Sequence, residues 1–335
     1  MSEIAIIGAG AWGTALSIIL GGKGGRLRLW ALEKEVCESI RSRRTNDLFL
    51  PGHEIPEAVS VTNDLAAALE NADIVVNVVP SHHVRRVFEK IAPHLSPAMI
   101  FVSATKGVEE GSLLRMSEVI SEVVSRSAGF APAIAALSGP TFAQEVARGD
   151  PTAITAASRD CQLAARIQAE FSAPTFRVYT NEDVTGVELG GSLKNVIAIA
   201  AGICDGLEFG HNTVAALVTR GLTEITRLAV ACGAKRETMA GLSGMGDLVL
   251  TCTGGLSRNR TVGVELGRGR KLPEIIAGMH GMVAEGVLTT NAAMGLAQKF
   301  GVEMPITEQM HAILHDGKAP RDAIRELMTR PGKVE

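Results

Sequence analysis

A glycine-rich turn close to the N-terminus constrains the fold of this chain more than any other feature. Residues 8–13 read Gly-Ala-Gly-Ala-Trp-Gly, directly after a predicted strand at 3–7 and at the start of a predicted helix at 12–23. The first glycine permits a tight turn, the second lets a pyrophosphate approach the backbone, and the third allows the helix to pack closely on the strand. The helix N-terminus adds N–H donors and a positive dipole end. The pattern favours a dinucleotide-binding turn over a purely structural one.

Short β-rich runs alternate with helical stretches through the first half of the chain. Near-continuous valine and isoleucine at 74–79 indicate a strand that is buried on both faces. Strands that alternate with helices predict a doubly wound, mostly parallel sheet, that is, an α/β Rossmann-type N-terminal domain. The predicted strands are 3–7, 26–30, 74–79, 99–103, 134–138 and 153–157, and the predicted helices are 12–23, 33–44, 81–92, 111–126 and 159–171.

The second half of the chain lacks this alternation. From about residue 182, long segments rich in Ala, Leu, Val and Ile follow one another, and only an ambiguous apolar patch at 248–250 could be a strand. This pattern predicts an all-α C-terminal domain. The predicted domains are therefore residues 1–185, which contain the dinucleotide-binding turn, and residues 186–335.

Composition and charge exclude several classes of protein. The chain has 33 Lys and Arg against 36 Asp and Glu, so no basic excess points to nucleic acid or to an anionic membrane. The five cysteines are scattered without a CxxC pair, and the eight histidines lack metal-ligand spacing. We therefore predict no disulfide framework and no metal site. Because no signal-peptide pattern or membrane-length apolar run is evident, we expect a soluble cytoplasmic protein.

The residues after the second predicted strand bear on the choice of dinucleotide. A carboxylate there accepts the ribose hydroxyls of NAD, whereas a cation favours the 2′-phosphate of NADP. Glu33 and Lys34 are adjacent and give opposing signals. Both could also be the solvated start of a helix.

One lysine in the second half is isolated in apolar surroundings. Lys194 is the only charged residue between Glu188 and Asp205, on a predicted helix whose faces are nearly all apolar or small, which indicates burial. Burial favours the neutral amine, and this property suits proton transfer near neutral pH. A lysine that reaches solvent, or that closes a structural ion pair, is the alternative.

Two further charges are isolated in the same way. Asp247 is the sole charge between Glu237 and Arg258, among glycines that permit close approach of a ligand, although it could instead cap a short helix. Lys106 follows the strand at 99–103, and ligands of parallel sheets bind beyond the carboxyl ends of the strands. A solvated loop lysine is the alternative for Lys106.

A short polar sequence is a candidate phosphate site. Residues 257–260 read Ser-Arg-Asn-Arg and open a predicted helix. Free backbone N–H groups, a guanidinium and an amide together suit a phosphate. A serine cap followed by surface arginines would explain the same residues.

Several long blocks of sequence follow one another in a distinctive order. They are IIGAGAWGTAL, NDLFLPG, VVPSHHVR, ATKGVE, LSGPTFAQEV, GGSLKNVIAIAAG, GLSGMGDLVLTCTG, SRNR and VAEGV. In these blocks the chain resembles NAD(P)-dependent sn-glycerol-3-phosphate dehydrogenases of the bacterial type, nearly from end to end. The resemblance implies a Rossmann domain joined to a helical domain, with the site in the cleft between them. It also implies reversible hydride transfer between nicotinamide and C2 of glycerol 3-phosphate, with dihydroxyacetone phosphate as the ketone.

The same resemblance assigns roles to individual residues. The catalytic lysine of the family corresponds to Lys194, which would protonate the developing alkoxide in reduction and act as the base in oxidation. Asp247 matches the aspartate that contacts the substrate and holds this lysine. The implied substrate-binding positions are Lys106, Gly139, Thr141, Lys194, Asp247, Ser257, Arg258 and Asn259. The implied cofactor-binding positions are Gly8, Gly10, Ala11, Trp12, Gly13, Glu33, Phe49, Lys106, Ala143, Arg258, Val283 and Glu285.

One position departs from the pattern of the family. Its members commonly carry an arginine just after the Leu-Trp of the second strand, where it favours NADPH, whereas this chain reads Ala31-Leu32-Glu33. We therefore expect NAD or NADP as cofactor, with more use of NADH than the family pattern suggests. Lys34 or an arginine from 41–44 could compensate.

The resemblance further implies a homodimer with a small phosphorylated substrate, no nucleic acid and no membrane span, which supplies glycerol 3-phosphate for glycerophospholipid synthesis. Two alternatives are a β-hydroxyacid or 6-phosphogluconate-type dehydrogenase and a non-catalytic NAD(H)-binding sensor. The GMGDLVLTC and SRNR blocks argue against the first. The joint presence of Lys194, Asp247, Lys106 and Arg258 argues against the second.

Overall fold

The chain forms two compact units in a computed structural model that describes residues 2–279 and 284–332. The first unit is α/β, and the described part of the second unit is mainly helical. The first unit comprises Met1–Lys106 and Leu114–Glu188, and the second comprises Gly107–Leu113 and Leu189–Glu335.

The strands of the first unit confirm a mostly parallel sheet. They are β1 (Ile4–Ile7), β2 (Leu27–Trp30), β3 (Thr45–Asn46), β4 (Leu50–Glu54), β5 (Val59–Thr62), β6 (Ile74–Asn77), β7 (Ile100–Ser103), β8 (Ala133–Ser138), β9 (Thr152–Ala157) and β10 (Phe176–Asn181). Eight of them form one sheet in the order β10-β9-β8-β7-β6-β1-β2-β5, while β3 and β4 form a separate antiparallel pair. Within the sheet only β8 and β9 pair antiparallel. The order reverses between β1 and β6, and such a switch point is where open α/β sheets bind ligands.

Helices connect these strands. They are α1 (Ala11–Gly21), α2 (Lys34–Arg43), α3 (Leu65–Leu69), α4 (Val84–Ile91), α5 (Met116–Ser127), α6 (Ala143–Arg148) and α7 (Cys161–Phe171). Two 3₁₀ turns, Ser81–His83 and Ala92–His94, flank α4. The strand β1 shows why the sheet is covered on both faces. Its Ile4 and Ile6 pack in one apolar cluster, whereas Ala5 and Ile7 pack in another, because successive side chains of a strand point to opposite faces.

The predicted elements of the first unit agree with the structure, apart from one helix boundary and several omissions. The six predicted strands correspond to β1, β2, β6, β7, β8 and β9. The helix predicted over 111–126 was wrong at its start, because Gly111 and Leu113 have φ of +88° and +60°, which no α-helix accommodates. The sheet-edge strands β5 and β10 were missed, since buried and exposed residues alternate along much of their length.

The second unit is built from a succession of helices. The apolar patch at 248–250, which by sequence could have been a strand, is helical. The helices that follow the first unit are α8 (Val184–Gly206), α9 (His211–Ala231), α10 (Arg236–Met239), α11 (Asp247–Thr253), α12 (Arg258–Gly267), α13 (Leu272–Ala277), α14 (Glu285–Phe300), α15 (Pro305–His315) and α16 (Pro320–Met328).

Helix α8 is the central apolar helix of the second unit. Its 23 residues are long and apolar enough to cross a membrane by length and composition, which the sequence analysis did not anticipate. Its most apolar window is, however, 100% buried by the rest of the protein. This burial is the property of a core helix in a folded domain.

Candidate active site

The glycine-rich turn follows β1 directly and needs glycine at its first position. Gly8 has a φ of +120°, which side-chain-bearing residues rarely adopt. A Cβ on Gly8 would also lie 3.0 Å from the carbonyl carbon of Val78 and from the backbone nitrogen of Val79. The Gly8 N–H donates to the Trp30 carbonyl oxygen at 3.1 Å, so the turn is held against β2.

The other two glycines of the turn have different roles. A Cβ on Gly13 would collide with the carbonyl oxygen of Gly8, whereas a Cβ on Gly10 would meet no atom within 4 Å. Gly10 is the N-cap of α1 and has no side chain to satisfy the first N–H groups of this helix. The space beside Gly10 and the uncapped helix start together fit a pyrophosphate. Ala11 and Trp12 begin α1 at the same place.

Asn46 supports this turn and was missed by the sequence analysis. Its buried amide donates to the Ala9 carbonyl oxygen at 2.8 Å and to Thr14 Oγ1 at 2.8 Å. Its Oδ1 accepts from the N–H of Phe49 at 3.2 Å, which links the predicted cofactor residue Phe49 to the turn. An uncharged asparagine within NDLFLPG gives no isolated-charge signal, so only the contacts identify its role.

The residues after β2 define the predicted adenosine end of the site. Glu33 is partly buried at the N-cap of α2, and Leu32 is 67% exposed. The arginines that could compensate for the missing family arginine all have partners of their own. Arg41 donates to the Val61 carbonyl oxygen, Arg43 pairs with Asp47, and Arg44 donates to the carbonyl oxygens of Ile55 and Val59.

Three predicted substrate residues of the first unit meet at the ends of β7 and β8. Lys106 Nζ donates to the Gly139 carbonyl oxygen at 2.9 Å, and Thr141 Oγ1 donates to the same oxygen at 3.2 Å. Gly139 has a φ of +157°, and a Cβ there would lie 3.1 Å from Cα of Ile154. The predicted cofactor residue Ala143 begins α6 and packs against the core beside this loop.

Lys194 and Asp247 form a buried ion pair in the second unit. Their side chains are 7% and 1% exposed. Lys194 Nζ also donates to Thr251 Oγ1 at 2.6 Å, and this hydroxyl donates to the Asp247 carbonyl oxygen at 2.6 Å. The structure thus joins the two isolated charges and adds Thr251, which sequence reasoning missed because it carries no charge.

Glycines bring Asp247 close to α8. Residues Leu242–Gly246 form one π-helical turn directly before Asp247. A Cβ on Gly244 would collide with the carbonyl oxygen of Met239, and a Cβ on Gly190 of α8 would lie 2.6 Å from the carbonyl oxygen of Ser243. Gly190 and Gly244 therefore permit backbone contacts that no other residue allows.

Two buried cysteines of the second unit, Cys252 beside this ion pair and Cys204 farther along α8, have no reactive character. Burial raises the pKa of the Cys252 thiol to about 12, although the charge of Lys194 opposes the shift. Burial likewise raises the pKa of Cys204 to about 11, with a further rise from Asp205. Because the thiolate is the reactive form, the raised pKa values and the burial of both cysteines make them core residues.

The SRNR sequence divides its side chains between structure and solvent. Ser257 caps α12 by accepting from the Arg260 N–H at 3.2 Å. The buried Asn259 donates to Asn195 Oδ1 at 3.0 Å and accepts from the Gly286 N–H at 2.9 Å. Arg260 pairs with Asp205 at 2.7 Å. Arg258 is the exposed member of the sequence.

The guanidinium of Arg258 keeps its charge in this environment. Desolvation by the surrounding protein lowers the pKa of Arg258, and the Glu285 carboxylate opposes that shift. An arginine nevertheless stays protonated at neutral pH. Glu285 begins α14, and the other cofactor position predicted beside it, Val283, lies outside the described residues. Among residues 2–279 and 284–332, no group of three or more His, Cys, Asp or Glu could hold a metal ion.

The two family patterns that match this chain and several similar proteins carry one description. Patterns described as NAD-dependent glycerol-3-phosphate dehydrogenase N-terminus and C-terminus match residues 3–164 and 183–325. A glycerol-3-phosphate dehydrogenase (NAD(P)+) from Koribacter versatilis is 72% identical over 336 residues, which cover 100% of this chain and 99% of that protein. A protein of the same name from Acidobacterium capsulatum is 56% identical over 339 residues, with 100% of both chains covered.

The chain belongs to the NAD-dependent glycerol-3-phosphate dehydrogenase family. A solved structure of the glycerol-3-phosphate dehydrogenase from Coxiella burnetii is similar in fold as well as in sequence. Its TM-score is 0.92 at 42% identity, and the match covers 98% of this chain and 99% of that one. The resemblance in the sequence blocks is thus confirmed at the level of the family, while the roles of the individual site residues stay predictions.

Proposed function

We propose that this chain interconverts sn-glycerol 3-phosphate and dihydroxyacetone phosphate by hydride transfer with NAD(P)(H). The observation that carries this proposal is the buried Lys194–Asp247 pair with Thr251 beside it. A C2 alcohol and its ketone differ by one hydride and one proton. A positioned ammonium or amine supplies the group that the proton step requires. The family, whose relatives are named for this activity, supports the same reaction.

Lys194 is the proposed proton donor and acceptor. In ketone reduction its ammonium protonates the alkoxide oxygen that forms at C2, and in alcohol oxidation the neutral amine removes the hydroxyl proton. Asp247 stabilises the ammonium, while Asp247 and Thr251 together fix the direction of Nζ. General acid–base catalysis of this kind contributes about 10²- to 10⁴-fold to the rate.

A second set of residues is proposed to bind the rest of the substrate. Arg258 would hold the phosphate, because its guanidinium can form paired charge-assisted hydrogen bonds with phosphate oxygens. Binding energy from the phosphate can then orient the reacting carbon. The other proposed substrate contacts are Lys106, Gly139, Thr141, Ser257 and Asn259.

The cofactor that these residues would hold is a nicotinamide dinucleotide, which supplies or accepts the hydride. The fit rests on the space beside Gly10 and on the uncapped start of α1. Gly8 and Gly13 shape the turn. Phe49 is linked to the turn because its N–H donates to Oδ1 of Asn46, whose amide donates to the Ala9 carbonyl oxygen. The further proposed contacts are Ala11, Trp12, Glu33, Lys106, Ala143, Arg258, Val283 and Glu285.

We also propose that the enzyme uses NADH in preference to NADPH. Leu32 stands where an arginine would hold the 2′-phosphate, and Glu33 offers a carboxylate to ribose hydroxyls. Because Arg41, Arg43 and Arg44 are engaged with carbonyl oxygens or Asp47, a 2′-phosphate would have to break these contacts to recruit one of them. Lys34 is the remaining exposed cation nearby.

Initial rates of dihydroxyacetone phosphate reduction, followed by nicotinamide absorbance with NADH and NADPH in parallel, test both proposals. Turnover supports the reaction, whereas tight cofactor binding without turnover would favour the sensor. Turnover only of β-hydroxyacids or 6-phosphogluconate would favour the other dehydrogenase class. A higher kcat/KM with NADPH than with NADH would contradict the cofactor preference alone.

The variant Leu32→Arg sharpens the cofactor test. It restores a cation at an exposed position, so it should raise kcat/KM for NADPH relative to NADH by about 10-fold or more, the value of one charge-assisted hydrogen bond. Leu48→Arg is the matched control, because Leu48 is also exposed, at 54%, and adds the same charge at another place. An equal change in both variants would show a general charge effect.

The cellular setting belongs to the same proposal. We propose a cytoplasmic homodimer that supplies glycerol 3-phosphate for glycerophospholipid synthesis. Light scattering on the purified protein tests the dimer. Growth of a glycerol-requiring bacterial strain that expresses this chain, without added glycerol, tests the supply of glycerol 3-phosphate.

A further inference from the structure

Helix α12 lies in backbone contact with the C-terminal half of α8. Asn195 and Asn259 share a hydrogen bond across 64 residues of chain. A Cβ on Gly263 would collide with the carbonyl oxygen of Ile199, and a Cβ on Gly267 would lie 2.6 Å from that of Ile203. The pairs 195/259, 199/263 and 203/267 therefore recur every four residues with one constant offset. Constant offset and equal direction mean that the two helices run parallel in a single register.

The contacts from the other helix are reciprocal. A Cβ on Gly202 of α8 would collide with the carbonyl oxygen of Arg260, and a Cβ on Gly206 would collide with that of Val264. Each helix thus places glycines against the carbonyl oxygens of the other. Small residues allow such close approach, and the ion pair between Arg260 and Asp205 joins the same two helices. An axial slide would bring side chains onto these glycines.

This register fixes the axial separation of two proposed site residues to less than one helical turn. Lys194 precedes Asn195, and Arg258 precedes Asn259, so both cations share the offset of the contact pairs. A Cβ on Gly263 would lie 2.9 Å from Cα of Gly202, and a Cβ on Gly267 would lie 2.9 Å from Cα of Gly206, so these pairs face each other. Lys194 and Arg258 are three residues out of step with those pairs, which at a rise of about 1.5 Å per residue separates them by about 4.5 Å along the helix axes. A small rigid substrate needs its carbonyl and its phosphate held at one fixed separation.

We propose that Gly202, Gly206, Gly263 and Gly267 are positioning residues, whose packing sets the spacing between the proton donor Lys194 and the phosphate-binding Arg258. The inference rests on the proposed function, since it assumes those two roles. Lys194, Asp247 and Thr251 lie on α8 and α11, so the ion pair keeps its geometry when α12 moves. Arg258 and Ser257 move together with α12. Displacement of α12 therefore leaves each half of the site intact but misaligned with the other half.

The variant Gly263→Ala tests this proposal, because the added methyl forces the helices apart. A misplacement of about 1 Å can cost about 100-fold in rate, so kcat for dihydroxyacetone phosphate reduction should fall by about 10- to 100-fold. Inorganic phosphate, measured as a competitive inhibitor against the ketone, reports on the phosphate-binding half alone. Its inhibition constant should stay within about twofold of the wild-type value, which a general loss of folded structure would not allow.

Two further variants complete the design. Gly267→Ala adds a methyl 2.6 Å from a carbonyl oxygen, where ordinary contact begins at 3.4 Å, so it should produce a smaller loss of kcat with unchanged phosphate inhibition. If Gly263→Ala does not fold, the result for Gly267→Ala alone tests the proposal. Gly210→Ala is the control, because a Cβ there meets nothing within 4 Å, and it should match wild type.

An unchanged kcat in the folded variants would overturn the proposal, and so would a parallel loss of phosphate inhibition and kcat. Failure of the proposed function is separate, because the wild-type protein itself would then not reduce dihydroxyacetone phosphate.

Discussion

Replacement of Asp247 by asparagine tests the buried ion pair directly. The amide keeps the shape of the carboxylate but removes its charge, so the ammonium of Lys194 is left with the neutral hydroxyl of Thr251 as a partner. The side chains are 7% and 1% exposed, so water cannot replace the lost carboxylate. Removal of one member of a buried pair costs about 3–5 kcal/mol of folding free energy.

The size of this loss depends on pH, because Lys194 can release its proton in the folded variant, and a neutral amine does not need the lost carboxylate. Release costs about 1.4 kcal/mol for each pH unit below the usual lysine value near 10.4, so it limits the loss to about 5 kcal/mol at pH 7 and about 2 kcal/mol at pH 9. The unfolded variant then binds more protons than the folded variant, and the stability of the variant rises with pH. The difference in free energy of unfolding between wild type and Asp247→Asn should therefore decrease from pH 7 to pH 9.

Urea unfolding followed by far-ultraviolet circular dichroism, at both pH values, measures the gap. Asp205→Asn is the matched control, because Asp205 pairs with Arg260 at 27% and 30% exposure and arginine does not release its proton. Its gap should be small and independent of pH. A pH-independent gap for Asp247→Asn would refute the reasoning, since Lys194 would then not carry the charge that Asp247 stabilises. In the kinetic assay, the alkaline limit of ketone reduction should move to lower pH in Asp247→Asn.

Other substitutions separate the cofactor turn from the catalytic and phosphate-binding residues. Gly10→Ala should keep the wild-type melting temperature but weaken NADH binding in a fluorescence titration by about 10-fold or more, because its methyl occupies the space proposed for the pyrophosphate. Gly13→Ala should instead lower the melting temperature, since its methyl collides with the Gly8 carbonyl oxygen, and equal melting temperatures for the two variants would contradict this distinction. Lys194→Ala should lower turnover by about 10²- to 10⁴-fold with NADH affinity retained, and normal turnover would exclude Lys194 from the reaction. Arg258→Ala should raise KM for dihydroxyacetone phosphate by about 10- to 100-fold, the value of hydrogen bonds to a charged group, and an unchanged KM would contradict the phosphate role.

Much of the α/β unit could be predicted because its central strands carry their own signal. The strands β1, β6 and β7 are buried at every residue, and such strands read as continuous apolar runs. The helix predicted from residue 111 shows the limit of this approach. Residues Gly107–Leu113 pack with the second unit rather than with their neighbours in sequence, and local periodicity contains no information about that choice.

The candidate site divides in a similar way between charged and uncharged residues. Lys194 and Asp247 stand out because a charge among apolar residues must be paired or used. The hydroxyl of Thr251 completes the contacts of this pair, and the amide of Asn195 accepts from Asn259; such groups are too common in ordinary helices to be singled out. Their roles follow from which helices touch, which the sequence alone does not specify.

The glycines of the second unit also have roles that depend on which helices are in contact. Glycine near residues 206 and 267 could be interpreted from sequence as punctuation between helices, and both residues do end helices, α8 and α12. Each also lies where a Cβ would meet the backbone of the other helix. Gly202 and Gly263 have the same contacts inside their helices, where glycine lowers helix stability by about 1 kcal/mol relative to alanine. That cost is compensated only if close packing of α8 on α12 is needed, and the fixed spacing between Lys194 and Arg258 that this packing sets gives a reason why it would be.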